Sequence, residues 1–330
     1  MGNHDHDRWH AIGELARLAP TPHNTQPFRI RPTSATEAEL VLVCDRLLPA
    51  EDHGNLYMLS AFGLFLSAID RAGRSVGYSV RTRACDELDG SRLDRTSGHL
   101  VIGTATIDGE IAGDATNLLA ARRTSRLPYL DRPVDPSALA AFECIAAAAG
   151  HRFIARSDPR MVRDVLRMNA EAIIDNLQIT RERDEIRRWY RYGATPQHGD
   201  GLWQAPMNQP AWQIKAAFCA PWLFASDPMR MVSVARYVET QRGTRHVAVL
   251  TGPFARWSDL VAAGRMLLEL WLAMAAADVY MHPFGSMLTN PMYAAWVADT
   301  FGVADAWLVV RLGYSDPPPA APRLASIVIS

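Results

Sequence analysis

The sequence predicts an α+β sandwich, and three observations carry that prediction. Segments with helical spacing of apolar residues alternate along the chain with short stretches that alternate apolar and polar, as half-buried strands do. The helices and strands follow one another in an order that does not require a parallel sheet. Apolar residues make up 48% and charged residues 21% of 330 positions, which excludes wholesale disorder, collagen and coiled coil. At that length the chain holds one large domain or about two.

The elements follow in order. His4, His6 and His10 form an HxHxxxH pattern in a polar start that admits a metal site but reads as a frayed tail. Trp9 to Leu18 has helical spacing, and Ala19 to Pro27 is rich in turn formers. Phe28 to Arg31 and Glu39 to Cys44 read as strands, Leu56 to Arg71 as a strongly apolar helix, and Val76 to Arg83 and His99 to Ile107 as half-buried strands. A helical start at Gly113 runs through Asn117 toward Arg126. Asp135 caps a helix to Ala149, Arg152 to Ala155 is a short strand, and two helices follow at Pro159 to Ile179 and Arg183 to Tyr192.

Residues 193–232 interleave Gly193, Gly199, Gly201, Pro206, Pro210 and Pro221 with Trp203, Trp212 and Trp222. Their composition predicts a long loop, either a lid or substrate wall or irregular core packing. His246 to Leu250 is a buried strand, Ser258 to Ala277 a long helix, Tyr280 to Asn290 a loop, and Pro291 to Phe301 a helix. Trp307 to Leu312 is a strand, and a proline-rich stretch leads to a last strand around Ile327.

The 34 basic and 35 acidic residues give a formal charge of −1, so no nucleic-acid or membrane-surface partner is advertised. Lys215 is the only lysine. Schiff-base chemistry therefore has one candidate, and arginine must do any phosphate binding. Cys44, Cys85, Cys144 and Cys219 match no zinc-finger or CxxC spacing and, with no signal peptide in evidence, read as reduced thiols of a cytoplasmic protein. No apolar run is long enough for a transmembrane helix.

Two stretches could carry chemistry. Arg122-Arg-Thr-Ser-Arg126 puts three guanidinium groups and two hydroxyls at a helix-to-loop junction, a plausible phosphate clamp or a solvated basic turn. Pro22-His-Asn-Thr-Gln-Pro27 fixes its backbone with two prolines while His23, Asn24 and Gln26 present groups suited to a heterocycle or polyol, or simply form a capped turn. There is no dinucleotide-binding glycine motif, Walker loop, HExxH or GxSxG. The reactive group of an enzyme built this way is a bound cofactor.

At Thr21-Pro-His-Asn-Thr-Gln-Pro-Phe28 the chain resembles the nitroreductase superfamily, whose early loop reads approximately Pro-Ser-x-x-Asn-x-Gln-Pro-Trp and contacts flavin mononucleotide (FMN). That superfamily also carries an Arg-Arg-Ser-x-Arg-like motif on the FMN phosphate and ribityl chain, but upstream of the loop. Here Arg122–Arg126 lies downstream. This order resembles two nitroreductase-like halves fused in tandem, an intrachain pseudo-dimer of the Acg-type FMN-binding branch, divided at 1–112 and 113–330 with 193–232 as lid. The first half keeps only the loop and the second only the arginines, which implies one complete site.

Tyr280-Met-His-Pro-Phe-Gly285 resembles the loop whose backbone approaches flavin N5, and Leu308 to Tyr314 and Ala321 to Leu324 resemble the penultimate strand and the C-terminal basic segment. Phe28 stands where the family has Trp, Arg323 has no neighbouring Lys, and Pro283-Phe-Gly-Ser lacks the acidic residue common in active nitroreductases. The resemblance implies a cofactor set of Pro22, His23, Asn24, Gln26, Arg122, Arg123, Thr124, Arg126, Pro283, Phe284, Gly285 and Arg323. Arg126 would face charge developing at N1 and C2=O, and a backbone N–H of Phe284 or Gly285 would face N5.

It further implies an FMN-dependent oxidoreductase that takes a hydride from NAD(P)H and passes electrons to a nitro compound, a quinone or a biosynthetic intermediate. An FMN-storage protein beneath a lid, and a flavin-dependent oxidase or flavin-fragmenting enzyme, are the alternatives. The expected partner is a small molecule, with no metal, nucleic acid or membrane, and the chain is a monomeric pseudo-dimer or a homodimer.

Overall fold

A computed structural model describes residues 3–113, 118–193 and 195–330, with the side chains of 3–6 excluded. The first part of the chain forms α1 (Asn3–Ala16), β1 (Phe28–Pro32), β2 (Glu37–Val43), α2 (Leu56–Ser75), β3 (Tyr78–Ala84) and β4 (His99–Glu110). After α3 (Leu118–Ala121) come α4 (Pro136–Ala148), β5 (Arg152–Arg156), α5 (Pro159–Gln178), α6 (Thr180–Trp189), β6 (Tyr190–Arg191) and β7 (Leu202–Trp203). Then follow α7 (Ala211–Cys219), α8 (Pro221–Ala225), α9 (Asp227–Thr240), β8 (His246–Thr251), α10 (Trp257–Ala276), β9 (Tyr280–Pro283), α11 (Ser286–Thr289), α12 (Pro291–Phe301) and β10 (Ala306–Gly313).

Two four-stranded antiparallel sheets result, ordered β1-β2-β4-β3 and β5-β8-β10-β9. The two orders superimpose element by element. Each part runs helix, edge strand, inner strand, 20-residue helix, edge strand, inner strand, so α1 corresponds to α4 and α2 to α10. Two connections differ: that between the first two strands, residues 33–36 in the first sheet and 157–245 with five helices in the second, and that from helix to edge strand, residues 17–27 against 149–151.

The two long helices meet at backbone contact. A Cβ on Gly63 would lie 2.1 Å from the Val261 carbonyl oxygen, and one on Gly264 would lie 1.8 Å from that of Ser60. Only glycine permits that approach. Phe62 stacks on Trp257 with ring centroids 5.7 Å apart, and Arg265 bonds Asp70 and Thr82, so α10 is locked to both α2 and β3. One continuous core, including Trp9, Phe28, Phe62, Leu268, Leu270 and Val310, fills the space between the sheets. The chain end returns to the first sheet, where Ile30 and Ile329 donate to Ile327 and Ile30 carbonyls.

Several expected elements differ. The helix α1 starts at Asn3, because nothing before Trp9 breaks it and the buried Trp9 and Ile12 anchor it; a metal site on His4 and His6 falls outside the described side chains. The helical start at 114–117 also lies outside the described residues, and 122–126 is extended, since Thr124 bridges Met281 of β9. The long loop at 193–232 carries α7, α8 and the first six residues of α9. Its prolines, read as breakers, begin helices instead: Pro221 and Pro228 occupy first-turn positions and Pro210 caps α7. The 280–290 loop contains β9 and α11, and the last strand is a single bridge from Ile30 to Val328. The four cysteines are free, Cys44 buried and Cys144 and Cys219 exposed. No helix among the described residues is long and apolar enough to cross a membrane.

Candidate cofactor site

A cavity of about 140 Å³ opens where the loop 18–24, the segment 119–126, residues 201–207 and the proline-rich stretch 319–323 converge. It brings together seven of the expected site residues: His23, Asn24, Arg122, Arg123, Thr124, Arg126 and Arg323. Pro22, Gln26, Pro283, Phe284 and Gly285 lie outside its wall. The loop at 18–24 and the arginine segment, about 100 residues apart in sequence, thus meet in space.

The loop 22–27 is strained. His23, Asn24 and Gln26 hold φ of 47°, 53° and 50°, left-handed backbone that non-glycine residues rarely adopt. Its turns are tied by Asn24 and Thr25 N–H donating to the Thr21 and Pro22 carbonyls, and by Gln26 N–H donating to the Thr21 hydroxyl. The side chains spend their polarity on the protein. Asn24 Nδ2 donates to Gly201 and Pro322 carbonyls at 3.2 and 2.9 Å, and its Oδ1 accepts from Arg323. Gln26 Nε2 donates to the Gly199 carbonyl at 2.8 Å, and its Oε1 accepts from Leu324 N–H at 3.0 Å. These amides tie the loop to both 199–201 and 322–324.

His23 pairs with Glu51. Burial alone would lower its imidazole, but the Glu51 carboxylate outweighs burial and holds the group above its usual value. Glu51 belongs to a buried acidic group with Asp52, Glu182 and Glu185. Asp52 accepts from Tyr57 and Met58 N–H at the start of α2 and is pushed up to about 7, chiefly by burial. Glu185 accepts from Ala50 and Glu51 N–H, seating α6 against the core.

Positive charge dominates the cavity. Arg122, Arg123, Arg126 and Arg323 line it, and no Asp or Glu does. Arg122 and Arg323 both donate to the Leu18 carbonyl, at 3.1 and 3.0 Å, and Arg123 donates to the Pro318 carbonyl at 2.7 Å. Arg122 also lies over Trp271, 4.5 Å from the ring centroid. Its buried Nε has no partner. Burial, with repulsion from Arg323, lowers the Arg122 guanidinium to about 9, and burial, with Arg17, lowers Arg323 to about 10. Four guanidinium groups without a lining carboxylate, one with an orphaned N–H, fit a phosphate-bearing ligand.

The arginine segment lies beside β9. Ser125 N–H donates to the Met281 carbonyl at 3.3 Å next to the Thr124–Met281 bridge, so Arg126 lies near His282. Phe284 N–H donates to the Val309 carbonyl at 2.8 Å, and its ring is buried against Val309. The Phe284 N–H is therefore already engaged within the fold.

Three participants escaped the sequence reading. Glu51 and Gly199 gave no local signal, because their partners lie 28 and 173 residues away. Arg311 did give one: it is a lone charge in the apolar run Leu308-Val-Val-Arg-Leu312, and it is fully buried.

No protein-family model matches the chain, and no curated protein is significantly similar to it. Among solved structures it is similar to the FMN-dependent nitroreductase NfnB from Mycobacterium smegmatis in complex with NADPH, at 20% identity over 60% of this chain and 86% of that one, with a TM-score of 0.34. It is similar to nitroreductase A from Vibrio parahaemolyticus at 14% identity over 63% and 70%, with a TM-score of 0.35. A nitroreductase with bound FMN from Desulfitobacterium hafniense is 15% identical over 61% and 90%, with a TM-score of 0.36. Likeness at that level carries no weight by itself, and the chemistry of the cavity must speak for the chain.

Proposed function

We propose that this chain binds one FMN and acts as a flavin-dependent oxidoreductase of the nitroreductase type, a tandem fusion of halves 1–112 and 113–330 in the Acg-like branch. The observation that carries the reading is the convergence of four arginines on one cavity that no carboxylate lines, with Arg122 Nε unpartnered. Bound FMN would supply two-electron chemistry, taking a hydride from NAD(P)H and reducing a small organic acceptor.

The protein's part is to bind and orient. Arg122, Arg123 and Arg323 would hold the phosphate, with the Thr124 hydroxyl beside them. Arg126, whose side chain has no carboxylate partner among the described ion pairs, would stabilise negative charge that develops on the ring. Leu202, Trp203, Pro206 and Met207 form an apolar wall that excludes water, and 193–232 is the lid that carries it.

At about 140 Å³ the cavity is smaller than the roughly 300–1,000 Å³ of a site that buries a drug-sized ligand. Entry therefore needs the Asn24 and Gln26 latches to release. The bonds from Asn24 and Gln26 across 199–201 and 322–324 favour a second reading, storage of FMN with little turnover. Purifying the protein, identifying the released chromophore and counting flavins per chain tests the first point; bleaching by NAD(P)H separates turnover from storage. Two flavins per chain, or none after reconstitution, would overturn the proposal.

A further inference from the structure

The second sheet has one face packed on α10 and another beneath α5, α9 and α12. Val310, Leu312 and Met281 belong to the first face, whereas Val309, Val247 and Phe284 belong to the second. Strand alternation puts Arg311 and His282, which are register partners on β10 and β9, on the second face.

Arg311 has no carboxylate partner among the described residues. Its Nη2 donates to the Leu127 and Ser125 carbonyls at 2.9 and 3.3 Å, one on each side of Arg126. Its Nη1 donates to Thr244 Oγ1 at 3.2 Å, its plane lies 4.1 Å from the Tyr129 ring centroid, and its Nε donates to His282 Nδ1 at 3.4 Å. Guanidinium can only donate, so Nδ1 must carry the lone pair and the ring proton must sit on Nε2.

No described residue accepts from His282 Nε2, and the side chain keeps accessible surface although it lies deep in the molecule. Arg126, which lines the cavity, lies close enough to act on the ring electrostatically. The neighbours that act on the ring electrostatically are Arg126 and Arg311, both cationic; with burial they keep the imidazole well below its ordinary range, and therefore neutral.

Resting on the FMN reading, we propose that Arg311 is a positioning residue that fixes His282 as the Nε2–H tautomer, so that His282 donates a hydrogen bond to an acceptor atom of the bound flavin. One guanidinium thereby sets both polar contacts, bracketing Arg126 through its flanking carbonyls and orienting His282 through its ring nitrogen.

The test uses full-length protein labelled with 15N-histidine, and long-range proton–nitrogen correlations assigned with a His282→Gln variant. The expected spectrum at pH 7 is the neutral Nε2–H pattern before flavin is added, with a shift of that resonance on adding FMN. Arg311→Lys, which keeps a charge but loses the planar fork, should relax His282 to a tautomer mixture while leaving the imidazole neutral. If Arg311→Lys fails to fold, Thr244→Val, which removes a partner of the guanidinium, should loosen the tautomer in the same direction.

A wild-type Nδ1–H tautomer or imidazolium at pH 7 would overturn the inference. So would a locked resonance that stays unmoved while the flavin absorbance shows FMN bound. Failure of FMN to bind at all overturns the functional reading first, and the donor role with it, whatever the tautomer.

Discussion

Arg122 holds a buried cation that satisfies itself with one carbonyl, one indole face and nothing on Nε. A charge-assisted hydrogen bond contributes about 1.5–3 kcal/mol. Arg122→Ala should therefore weaken FMN binding roughly 10- to 100-fold, measured by fluorescence quenching of the flavin. Arg126→Ala should act differently, slowing NAD(P)H reduction in stopped flow more than it weakens binding; equal reduction rates would remove Arg126 from the chemistry. Asn24 joins three segments through one amide, contacting Gly201, Pro322 and Arg323. Asn24→Ala should speed flavin dissociation, read by competition with an excess of a flavin trap. If exchange is unchanged, these bonds do not latch the walls.

At the scale of elements, the crossing of α2 and α10 has no slack. Gly264→Ala places a methyl against the backbone of Ser60, which cannot rotate away, and overpacking of this kind costs about 1–3 kcal/mol or more. Thermal unfolding should fall by several degrees, and an unchanged midpoint would mean that the helices can separate freely. The seating of α6 depends on protons. Burial, then Glu51, pushes the Glu182 carboxyl up to about 7. The folded state therefore retains a proton that the unfolded chain releases above its ordinary value, and stability is lost as pH rises from about 4.5 to about 7. Glu182→Gln should flatten that part of the profile, leaving the variant more stable than the parent at pH 8 and little changed at pH 4. A parallel shift at both pH values would show that protonation is not involved.

These two helices were also the most legible elements. Leu56–Ser75 and Trp257–Ala276 carry sustained apolar periodicity, and both were read as long helices within a few residues of their ends. The helices of 193–232 were not legible, because segments of five to fourteen residues that begin at proline look like broken loop when read locally. The motif 22–27 was found, but the use of its amides was not. A hydrogen bond across 173 or 298 residues leaves no trace in a local pattern.

For the whole molecule, repeated topology leads to an asymmetric expectation. The first part connects its helix to its edge strand through residues 17–27, which include the loop proposed to hold the cofactor; the equivalent connection in the second part is residues 149–151. Three residues cannot reproduce Pro22 to Pro27. One FMN per chain is the expected stoichiometry, checked by quantitative flavin release against protein concentration.

That short turn has an evolutionary meaning. In a symmetric homodimer every substitution is made twice, so neither copy can shed its cofactor loop while the other retains it. Within one chain each position is inherited singly. On the tandem reading, the part carrying 149–151 would be free to lack that loop and to carry 157–245 where the first part has a four-residue hairpin connection, without doubling that insertion across the site.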